Sequence, residues 1–334
     1  MTETRAPAPP LRRADVHEAQ RRLAGRVVRT PVVRSDDLDH RAGARLWLKA
    51  ENLQRGGSFK LRGALLAVGE LVAAGSRGVV AQSTGNHAIA VALAARELRV
   101  PAVLVLPTDA APGKVRRIRE AGAEVVLAGT LLAERVAEVD RLRAGRGLDV
   151  VDPYQNRAVV LGQGTATAEL LDQVAAAGGG LDAVVLPVGG GSAVAGACLA
   201  TAGQDVAVFG AEPSAVPALT EALRAAGPVT VPAGRTIADG LRPDRIGRLP
   251  YDLCHAALDA VEMVDEPEIA EALCFALLEA RLLVEPAAAT ALAAALRLAA
   301  LPRWRGRDIG VLLSGGNVDD TLVSVLLTRH LEDV

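Results

Sequence analysis

Lysine is the scarce basic residue of this chain, and one lysine stands where an amine can react. Of the 37 lysines and arginines, only Lys49, Lys60 and Lys114 are lysine. Lys60 follows GGSF and leads into an apolar stretch that predicts a helix over 61–75. Backbone dipoles and partial burial at a helix start lower the pKa of an amine. This placement favours a nucleophilic Lys60, although a helix lysine with a buried stem would have the same neighbours.

A second polar segment follows the apolar run RGVVAQ and precedes another predicted helix. Its hydroxyls, amide and free N–H groups at a helix N-terminus would hold a carboxylate. An ordinary helix cap made by a serine or threonine hydroxyl is the alternative. The segment consists of Ser83, Thr84, Gly85, Asn86 and His87.

A glycine-rich segment lies between the apolar run DAVVLPV and a third predicted helix. Glycines let the backbone approach an anion closely, and the dipole of the following helix favours a phosphate. Val194 stands where a dinucleotide fingerprint needs its third glycine, so a phosphate monoester fits better than a dinucleotide. A tight strand-to-helix turn is the alternative. The segment consists of Gly189, Gly190, Gly191 and Ser192.

A fourth segment, SGGN over 314–317, ends the apolar run DIGVLLS. The neutral hydroxyl of Ser314 at a strand end can hydrogen-bond a heterocyclic nitrogen. A turn with Asn317 as helix cap explains the same residues. Together the four segments supply an amine, a carboxylate cradle, a phosphate cradle and a partner for a ring nitrogen. Pyridoxal phosphate requires these groups from a protein, so the combination predicts a site for that cofactor.

These segments need a scaffold that brings strand ends together. Continuous apolar runs typical of buried parallel strands occupy 77–83, 100–107, 123–129, 148–152, 182–189, 206–212 and 308–315. Apolar residues at three- and four-residue spacing predict helices over 61–75, 85–97, 112–121, 130–145, 157–177, 192–203, 266–281 and 317–331. This alternation and the chain length predict an α/β protein with two open, mostly parallel sheets. Ligands then lie beyond the carboxyl ends of the strands.

Composition argues against several other classes. A net charge of −2 and only seven aromatic residues disfavour a nucleic-acid-binding role. The three cysteines form no CxxC and the five histidines are scattered, so we expect no zinc site, no disulfide framework and a cytoplasmic protein. Pro187 interrupts the longest uncharged run, which disfavours a membrane span. Residues 1–13 lack an apolar core, so they predict a disordered tail and no export signal.

In these motifs the chain resembles the tryptophan-synthase-β-like (fold type II) pyridoxal phosphate enzymes, and among them the threonine/serine dehydratases and serine racemases. The resemblance implies a small domain over 68–152, inserted in a large cofactor-binding domain of 14–67 and 153–334, with the cofactor in the cleft. It also implies a homodimer and an amino-acid substrate. It extends over ENLQRGGSFKLRGA (51–64), STGNHA (83–88), LGQGT (161–165), LPVGGGSAVAG (186–196), AEPS (211–214), TIADGL (236–241), RLLVEPAAA (281–289) and LLSGGNVD (312–319).

The resemblance assigns roles to individual residues. It implies that Lys60 is the Schiff-base lysine, that Phe59 packs near the cofactor ring and that Ser314 contacts the pyridine nitrogen. Residues 83–87 would hold the substrate carboxylate, and Asn86 would also meet the pyridoxal hydroxyl. The other residues of the implied cofactor and substrate sites are Gly189, Gly190, Gly191, Ser192, Ala193, Gly240, Glu285 and, beside the substrate, Tyr154.

This chain departs from the family pattern at several positions. The glycine loop usually ends in a fourth glycine and a large apolar residue, whereas Ser192 and Ala193 stand here, so we expect a looser pocket wall. Cation-binding relatives carry a second carboxylate six residues after the one at Glu212, where this chain has Ala218, so we expect no metal. Tyr154 in DPYQ favours the dehydratase branch. About fifteen residues follow the last motif, so no C-terminal regulatory domain is expected.

The implied activity is a dehydratase reaction that converts L-threonine, L-serine or a related β-hydroxy-α-amino acid to the 2-keto acid and ammonia. Lys60 would remove the α-proton. The neutral Ser314 hydroxyl cannot keep the ring nitrogen protonated, which favours elimination over transamination. A racemase is the nearest alternative, because Thr84 stands by resemblance opposite the lysine, where racemisation needs a proton donor. A β-replacement synthase and a catalytically silent binding protein are the others.

Overall fold

Buried apolar runs form two open sheets in the computed structural model of this chain. Thr84, residues 1–8 of the predicted tail and the side chain of Lys114 lie outside the described residues. Within the described part, no helix is both long and apolar enough to cross a membrane. The structure describes residues 9–83, 85–110, 112–232 and 234–332.

The strands divide between a six-stranded and a four-stranded sheet. In chain order they are β1 (Val32–Val33), β2 (Arg45–Ala50), β3 (Val79–Gln82), β4 (Ala102–Leu106), β5 (Glu124–Leu127), β6 (Asp149–Val150), β7 (Ala183–Pro187), β8 (Ala207–Pro213), β9 (Ala260–Val264) and β10 (Asp308–Leu313). The larger sheet has the order β1-β2-β10-β7-β8-β9 and is parallel except for β1; the smaller is β5-β4-β3-β6 and all parallel. The predicted α/β fold is thus confirmed, and each predicted strand run contains a strand.

Helices cover both faces of the sheets. They are α1 (Arg13–Leu23), α2 (Asp36–Ala42), α3 (Lys60–Ala73), α4 (Asn86–Leu98), α5 (Pro112–Glu120), α6 (Leu132–Arg146), α7 (Arg157–Ala176), α8 (Ser192–Thr201), α9 (Ala218–Arg224), α10 (Arg248–Ala257), α11 (Glu266–Leu278), α12 (Pro286–Ala299) and α13 (Asp320–Glu332). Each predicted helical stretch contains one of them. The predicted stretches do not include α1, α2, α9, α10 or α12. Helix α12 shows no polar face, because its apolar residues surround the axis and it is buried in the core.

The smaller sheet takes all its strands from one continuous part of the chain. Its first and last strands, β3 and β6, begin at Val79 and end at Val150. This distribution supports an inserted small domain over 68–152. The domain boundaries themselves stay a prediction.

Close packing of three helices places the start of α3 beside the start of α8. The helix α7 lies between them. A Cβ atom on Gly162 would lie 2.5 Å from Cα of Gly63 in α3, and one on Gly196 in α8 would lie 2.5 Å from the nitrogen of Gly164. Only bare backbone allows helices to approach so closely. These crossings fix the distance between the predicted nucleophile, which begins α3, and the glycine loop that precedes α8.

A buried ion cluster joins α3 to α7 and β2. Arg62 donates to both oxygens of Glu51, at 2.8 and 2.7 Å, and to Glu169 at 2.8 Å. Lys49 also donates to Glu169 at 2.8 Å. All four side chains are buried, and their formal charges cancel. Because Lys49 is held in this cluster, which we call the Arg62 cluster, it is not available as a nucleophile.

Candidate active site

Residues from distant parts of the chain meet in one cavity at the carboxyl ends of β3, β7 and β10. The cavity has a volume of about 350 Å³. Its lining includes the charged side chains of Lys60 and Glu285, which suit a small, charged ligand. The residues of the predicted site that line it are Phe59, Lys60, Ser83, Gly85, Asn86, His87, Tyr154, Gly189, Gly190, Gly191, Ser192, Ala193, Gly240, Glu285 and Ser314. The predicted role of Thr84 falls outside the described residues.

The amine of Lys60 lies inside this cavity. Its Nζ atom is 3.4 Å from Oγ of Ser192 and 3.4 Å from the carbonyl oxygen of Pro153. Burial lowers the pKa of the ammonium group to about 8, although the carboxylates of Asp152 and Glu285 oppose this change. An amine with this pKa is partly uncharged near neutral pH, and the uncharged form is the one that attacks a carbonyl carbon.

The glycine loop between β7 and α8 is shaped by close contacts. Gly191 has a φ of +93° and caps α8 with no side chain. A Cβ atom on Gly190 would lie 2.1 Å from the ring of Tyr154, and one on Gly189 would lie 3.0 Å from the carbonyl oxygen of Gly240. Side chains would fill this cradle. Without them, backbone N–H groups at the start of α8 can approach a phosphate.

Replacing Gly190 with alanine is expected to weaken cofactor binding by about tenfold or more, because overpacking costs roughly 1–3 kcal/mol. Titration of the unloaded protein with pyridoxal phosphate, followed by absorbance, measures this change. Gly145→Ala is the matched control, since its new Cβ meets nothing within 4 Å. Wild-type affinity in Gly190→Ala would show that the loop does not hold the cofactor.

Asn86, the first residue of α4, is held on both sides of its amide. Its Nδ2 donates to Oε1 of Glu285 at 2.7 Å, and its Oδ1 accepts from Nδ2 of Asn317 at 2.8 Å. The same Nδ2 of Asn317 donates to the carbonyl oxygen of Gly56 at 2.8 Å. These bonds connect the start of α4 to the loop that precedes Lys60. The predicted contact of Asn86 with the cofactor hydroxyl stays a prediction.

Ser314 lies buried at the end of β10, directly beside the nucleophile's own segment. Its carbonyl oxygen accepts from the backbone N–H of Phe59 at 3.0 Å. An isolated bridge between Ser58 and Gly315 extends the same contact. These backbone contacts hold the hydroxyl of Ser314 and the amine of Lys60 at the same cavity. A cofactor ring that contacts both groups would require this arrangement.

Sequence reasoning missed several charged residues that line the cavity. Arg117 and Arg135 come from α5 and α6, and the others come from the loop before α10. Nothing in the spacing of these residues identified them as cavity residues. The arginines among them resemble the many other surface arginines of this chain. The fold alone brings them to the cavity. The residues missed are Arg117, Arg135, Asp239, Arg242 and Asp244.

Glu212 at the end of β8 caps a helix. One carboxylate oxygen accepts from the N–H of Leu219 at 2.6 Å, and the other accepts from the N–H and Oγ1 of Thr220 at 3.0 and 2.9 Å. The buried carboxylate is thus occupied by donors from the first turn of α9. Among the described residues, no group of three or more histidines, cysteines, aspartates or glutamates could hold a metal ion.

The fold and the cavity suit an enzyme that binds a phosphorylated aldehyde, and Lys60 supplies an amine inside the cavity. The residues present fit pyridoxal phosphate: Lys60 offers an amine for its carbonyl carbon, and the cradle of small residues over 189–193 has room for its phosphate. Phe59, whose ring centre lies 5.1 Å from Nζ of Lys60, offers an apolar surface for its ring. When bound, the cofactor supplies an electron-withdrawing ring that stabilises negative charge at the substrate α-carbon.

Comparison with known proteins gives the same class. Residues 23–315 match the sequence model of the family described as "Pyridoxal-phosphate dependent enzyme", and the chain belongs to this family. It is 37% identical over 308 residues to L-threo-3-hydroxyaspartate ammonia-lyase of Pseudomonas sp, which covers 91% of this chain and 95% of that protein. It is 34% identical over 320 residues to L-threonine ammonia-lyase of Thermotoga maritima, and this alignment covers 95% of this chain and 78% of that protein.

The fold also matches solved structures of this family. Maize serine racemase superposes with a TM-score of 0.88 at 34% identity, over 96% of this chain and 98% of that one. The predicted family, fold class and cofactor are therefore confirmed. The names of these relatives agree with the predicted ammonia-lyase activity and with its racemase alternative.

Proposed function

We propose that this enzyme is an ammonia-lyase, which removes water from a β-hydroxy-α-amino acid and releases the 2-keto acid and ammonia. The observation that carries the proposal is the Lys60 amine. Its pKa of about 8 and its position beside Ser192 suit the removal of an α-proton close to the phosphate cradle. The Pseudomonas and Thermotoga relatives, which are named as ammonia-lyases, support the proposal.

Three parts of the cavity have different roles in the proposed reaction. The free amine of Lys60 accepts the α-proton. Backbone N–H groups at the start of α4 bind and orient the α-carboxylate. Ser314 would offer its neutral hydroxyl to the ring nitrogen of the bound cofactor, and a neutral partner at that nitrogen would favour loss of the β-hydroxyl over transamination.

A substrate panel tests the proposed activity. Loaded enzyme is incubated with L-serine, L-threonine and L-threo-3-hydroxyaspartate, and ammonia and keto acid are measured. L-Alanine is the matched control, because it binds through the same carboxylate and amine but has no β-leaving group. Ammonia from none of the β-hydroxy amino acids, in a protein with bound cofactor, would contradict the proposal.

We further propose that the preferred substrate carries a second carboxylate, as in L-threo-3-hydroxyaspartate. Arg135 is half-buried at the cavity and donates through Nη1 to the carbonyl oxygen of Thr130 at 3.0 Å. Arg117 of α5 lines the same cavity. Two guanidinium groups suit a carboxylate, which they can bind through several charge-assisted hydrogen bonds. The name of the Pseudomonas relative supports this choice.

Replacing Arg135 with alanine is expected to raise KM for L-threo-3-hydroxyaspartate by about tenfold or more, since a hydrogen bond to a charged group contributes about 1.5–3 kcal/mol. The KM for L-serine should change by less than about twofold. Arg141→Ala is the control, because Arg141 lies on the same helix and pairs with Glu138. An equal change for both substrates would show that Arg135 does not recognise the second carboxylate.

A serine racemase is among the similar solved structures, so racemisation is a second candidate activity. We propose that elimination dominates and that racemisation is slow, because the methyl group of Thr84 restricts its rotamers. Thr84→Ala should leave keto-acid formation from the L-substrate largely intact and remove α-deuterium incorporation into the opposite enantiomer. A wild-type enzyme that makes D-amino acid faster than keto acid, and loses this activity in Thr84→Ala, would be a racemase.

We also propose that the enzyme is a cytoplasmic homodimer. The three cysteines Cys198, Cys254 and Cys274 are free and buried, which supports a reducing compartment. Leu53 and Leu283 are 51% and 45% exposed, and the bond from Nδ2 of Asn52 to the carbonyl oxygen of Leu283 holds their segments together, which supports an apolar contact with a second copy. Sedimentation of the loaded enzyme measures the mass in solution.

A further inference from the structure

The segment 151–155, which follows β6, contacts two parts of the cavity. The carbonyl oxygen of Pro153 lies 3.4 Å from Nζ of Lys60. The ring of Tyr154 lies against the phosphate cradle, since a Cβ atom on Gly190 would lie 2.1 Å from it. One short piece of chain therefore touches both the amine and the loop that would hold the phosphate.

Asp152 holds this segment in a turn. Its Oδ1 accepts from the backbone N–H of Tyr154 at 2.9 Å and from that of Gln155 at 2.6 Å. Aspartate side chains commonly fix turns in this way. The described lining of the cavity includes Pro153 and Tyr154 but not Asp152. Asp152 therefore acts on the cavity through the turn that it holds and through its charge.

The turn supplies one of two acceptors at the free amine of Lys60. Nζ donates long hydrogen bonds of 3.4 Å to the carbonyl oxygen of Pro153 and to Oγ of Ser192. An uncharged primary amine has two N–H bonds and one lone pair, so two acceptors can occupy both hydrogens. The lone pair, which attacks a carbonyl carbon, then points away from both acceptors. The position of the Pro153 carbonyl thus sets the direction in which the amine reacts.

The charge of Asp152 acts on the same amine. Burial lowers the pKa of Lys60 to about 8, and the carboxylates of Asp152 and then Glu285 oppose this change. His87 and Tyr154 also line the cavity and are uncharged near pH 7, because burial lowers the pKa of His87 to about 4 and raises the pKa of Tyr154. The other charged side chains of the described lining are Arg117, Arg135, Asp239, Arg242 and Asp244.

We propose that Asp152 is a positioning residue, which directs the reactive lone pair of Lys60 through the turn that it holds. Its negative charge also stabilises the ammonium form and so raises the pH at which the amine becomes reactive. The inference concerns uptake of the cofactor and holds whichever amino acid is the substrate. It rests on Lys60 as the amine that binds the cofactor, which Lys60→Ala tests separately.

Substitutions at Asp152 separate the turn from the charge. In Asp152→Asn the amide oxygen can still accept from both N–H groups, but the charge is lost. In Asp152→Ala both are lost. Asp152→Ser takes the place of the alanine variant if that variant does not fold, because a serine hydroxyl makes the same turn more weakly. Asp140→Asn is the matched control, since Asp140 is exposed on α6 and the net charge changes equally.

Labelling of the unloaded protein with acetic anhydride tests the charge. Peptide mass spectrometry then reports the uncharged fraction of the Lys60 amine at each pH. Wild type and Asp140→Asn should share a midpoint of about pH 8. In the Asp152 variants the midpoint should fall by about half a pH unit or more, because the ammonium form loses a nearby negative charge. An unchanged or higher midpoint in Asp152→Asn would overturn the inference.

The rate of cofactor uptake tests the turn. At about pH 9.5 the amine is largely uncharged in all variants, so the rate depends on the direction of the lone pair. We expect Asp152→Asn to take up pyridoxal phosphate within about twofold of the wild-type rate. Asp152→Ala, or Asp152→Ser in its place, should be about three- to tenfold slower, the loss expected for one hydrogen bond. A rate equal to that of Asp152→Asn would overturn the inference, because the turn would then contribute nothing.

Discussion

Lys60→Ala is expected to remove the covalent link to the cofactor and to lower turnover by about 10³-fold or more, since the lysine is both the attachment point and the base. Of the other two lysines, Lys49 is held in the Arg62 cluster by Glu169. The variant should therefore lose the visible band of the lysine-linked cofactor. Absorbance, and mass spectrometry after borohydride reduction, measure the link.

The control for this prediction is Lys114→Ala, which should keep both the band and the activity. A borohydride-stable cofactor adduct in Lys60→Ala would show that another lysine carries the cofactor. A wild-type protein that stays colourless with added pyridoxal phosphate would instead favour a silent binding protein.

The pKa of Lys60 sets how fast unloaded enzyme takes up the cofactor. Burial disfavours the ammonium form and lowers the pKa from 10.5 to about 8. The reactive neutral fraction therefore rises as pH increases through about 8 and is complete well below the pH that an ordinary lysine needs. The loading rate, followed by absorbance across this range, should level off above about pH 9. A rate that still rises beyond pH 10 would show an unshifted amine.

Replacing Arg62 with leucine is expected to lower the free energy of unfolding by about 3–5 kcal/mol, because it leaves buried charge without a partner. Glu51 loses both bonds from the guanidinium group, and only Lys49 remains beside Glu169. Burial alone would raise the pKa of Glu51, but Arg62 holds it below its ordinary value. Urea unfolding of the unloaded protein measures the loss.

Arg141→Leu is the matched control, because Arg141 is exposed and its pair with Glu138 is screened by water. It should leave the unfolding transition nearly unchanged. Because Arg62 lies two residues after the nucleophile on α3, Arg62→Leu should also move the Lys60 amine, which the loading rate would report. Equal stability of the two leucine variants would show that the cluster contributes nothing.

Local sequence predicted the elements that have a clear period or clear turn chemistry. The buried strands fall where the sequence places them, α4 begins at Asn86, α8 begins at Ser192 and Ser314 follows β10. Helix α12 was not predicted from the sequence, because it is apolar on all sides. Arg117 and Arg135 were not predicted as cavity residues, because exposed arginines occur on most helices of this chain and nothing in the sequence distinguishes these two.

The sequence by itself determined the chemistry available to this protein: a lysine at a helix start, a glycine loop after a strand and a neutral serine at a strand end. These features are local, because backbone freedom and helix dipoles depend on neighbouring residues. The tertiary structure decided which atoms act. It bound Lys49 in an ion cluster, left Lys60 in a cavity and held Nε2 of His87 against the carbonyl oxygen of Val151. Burial and contacts between distant segments set the protonation states and hydrogen-bond partners of these side chains. Neither burial nor such contacts can be derived from the order of residues alone.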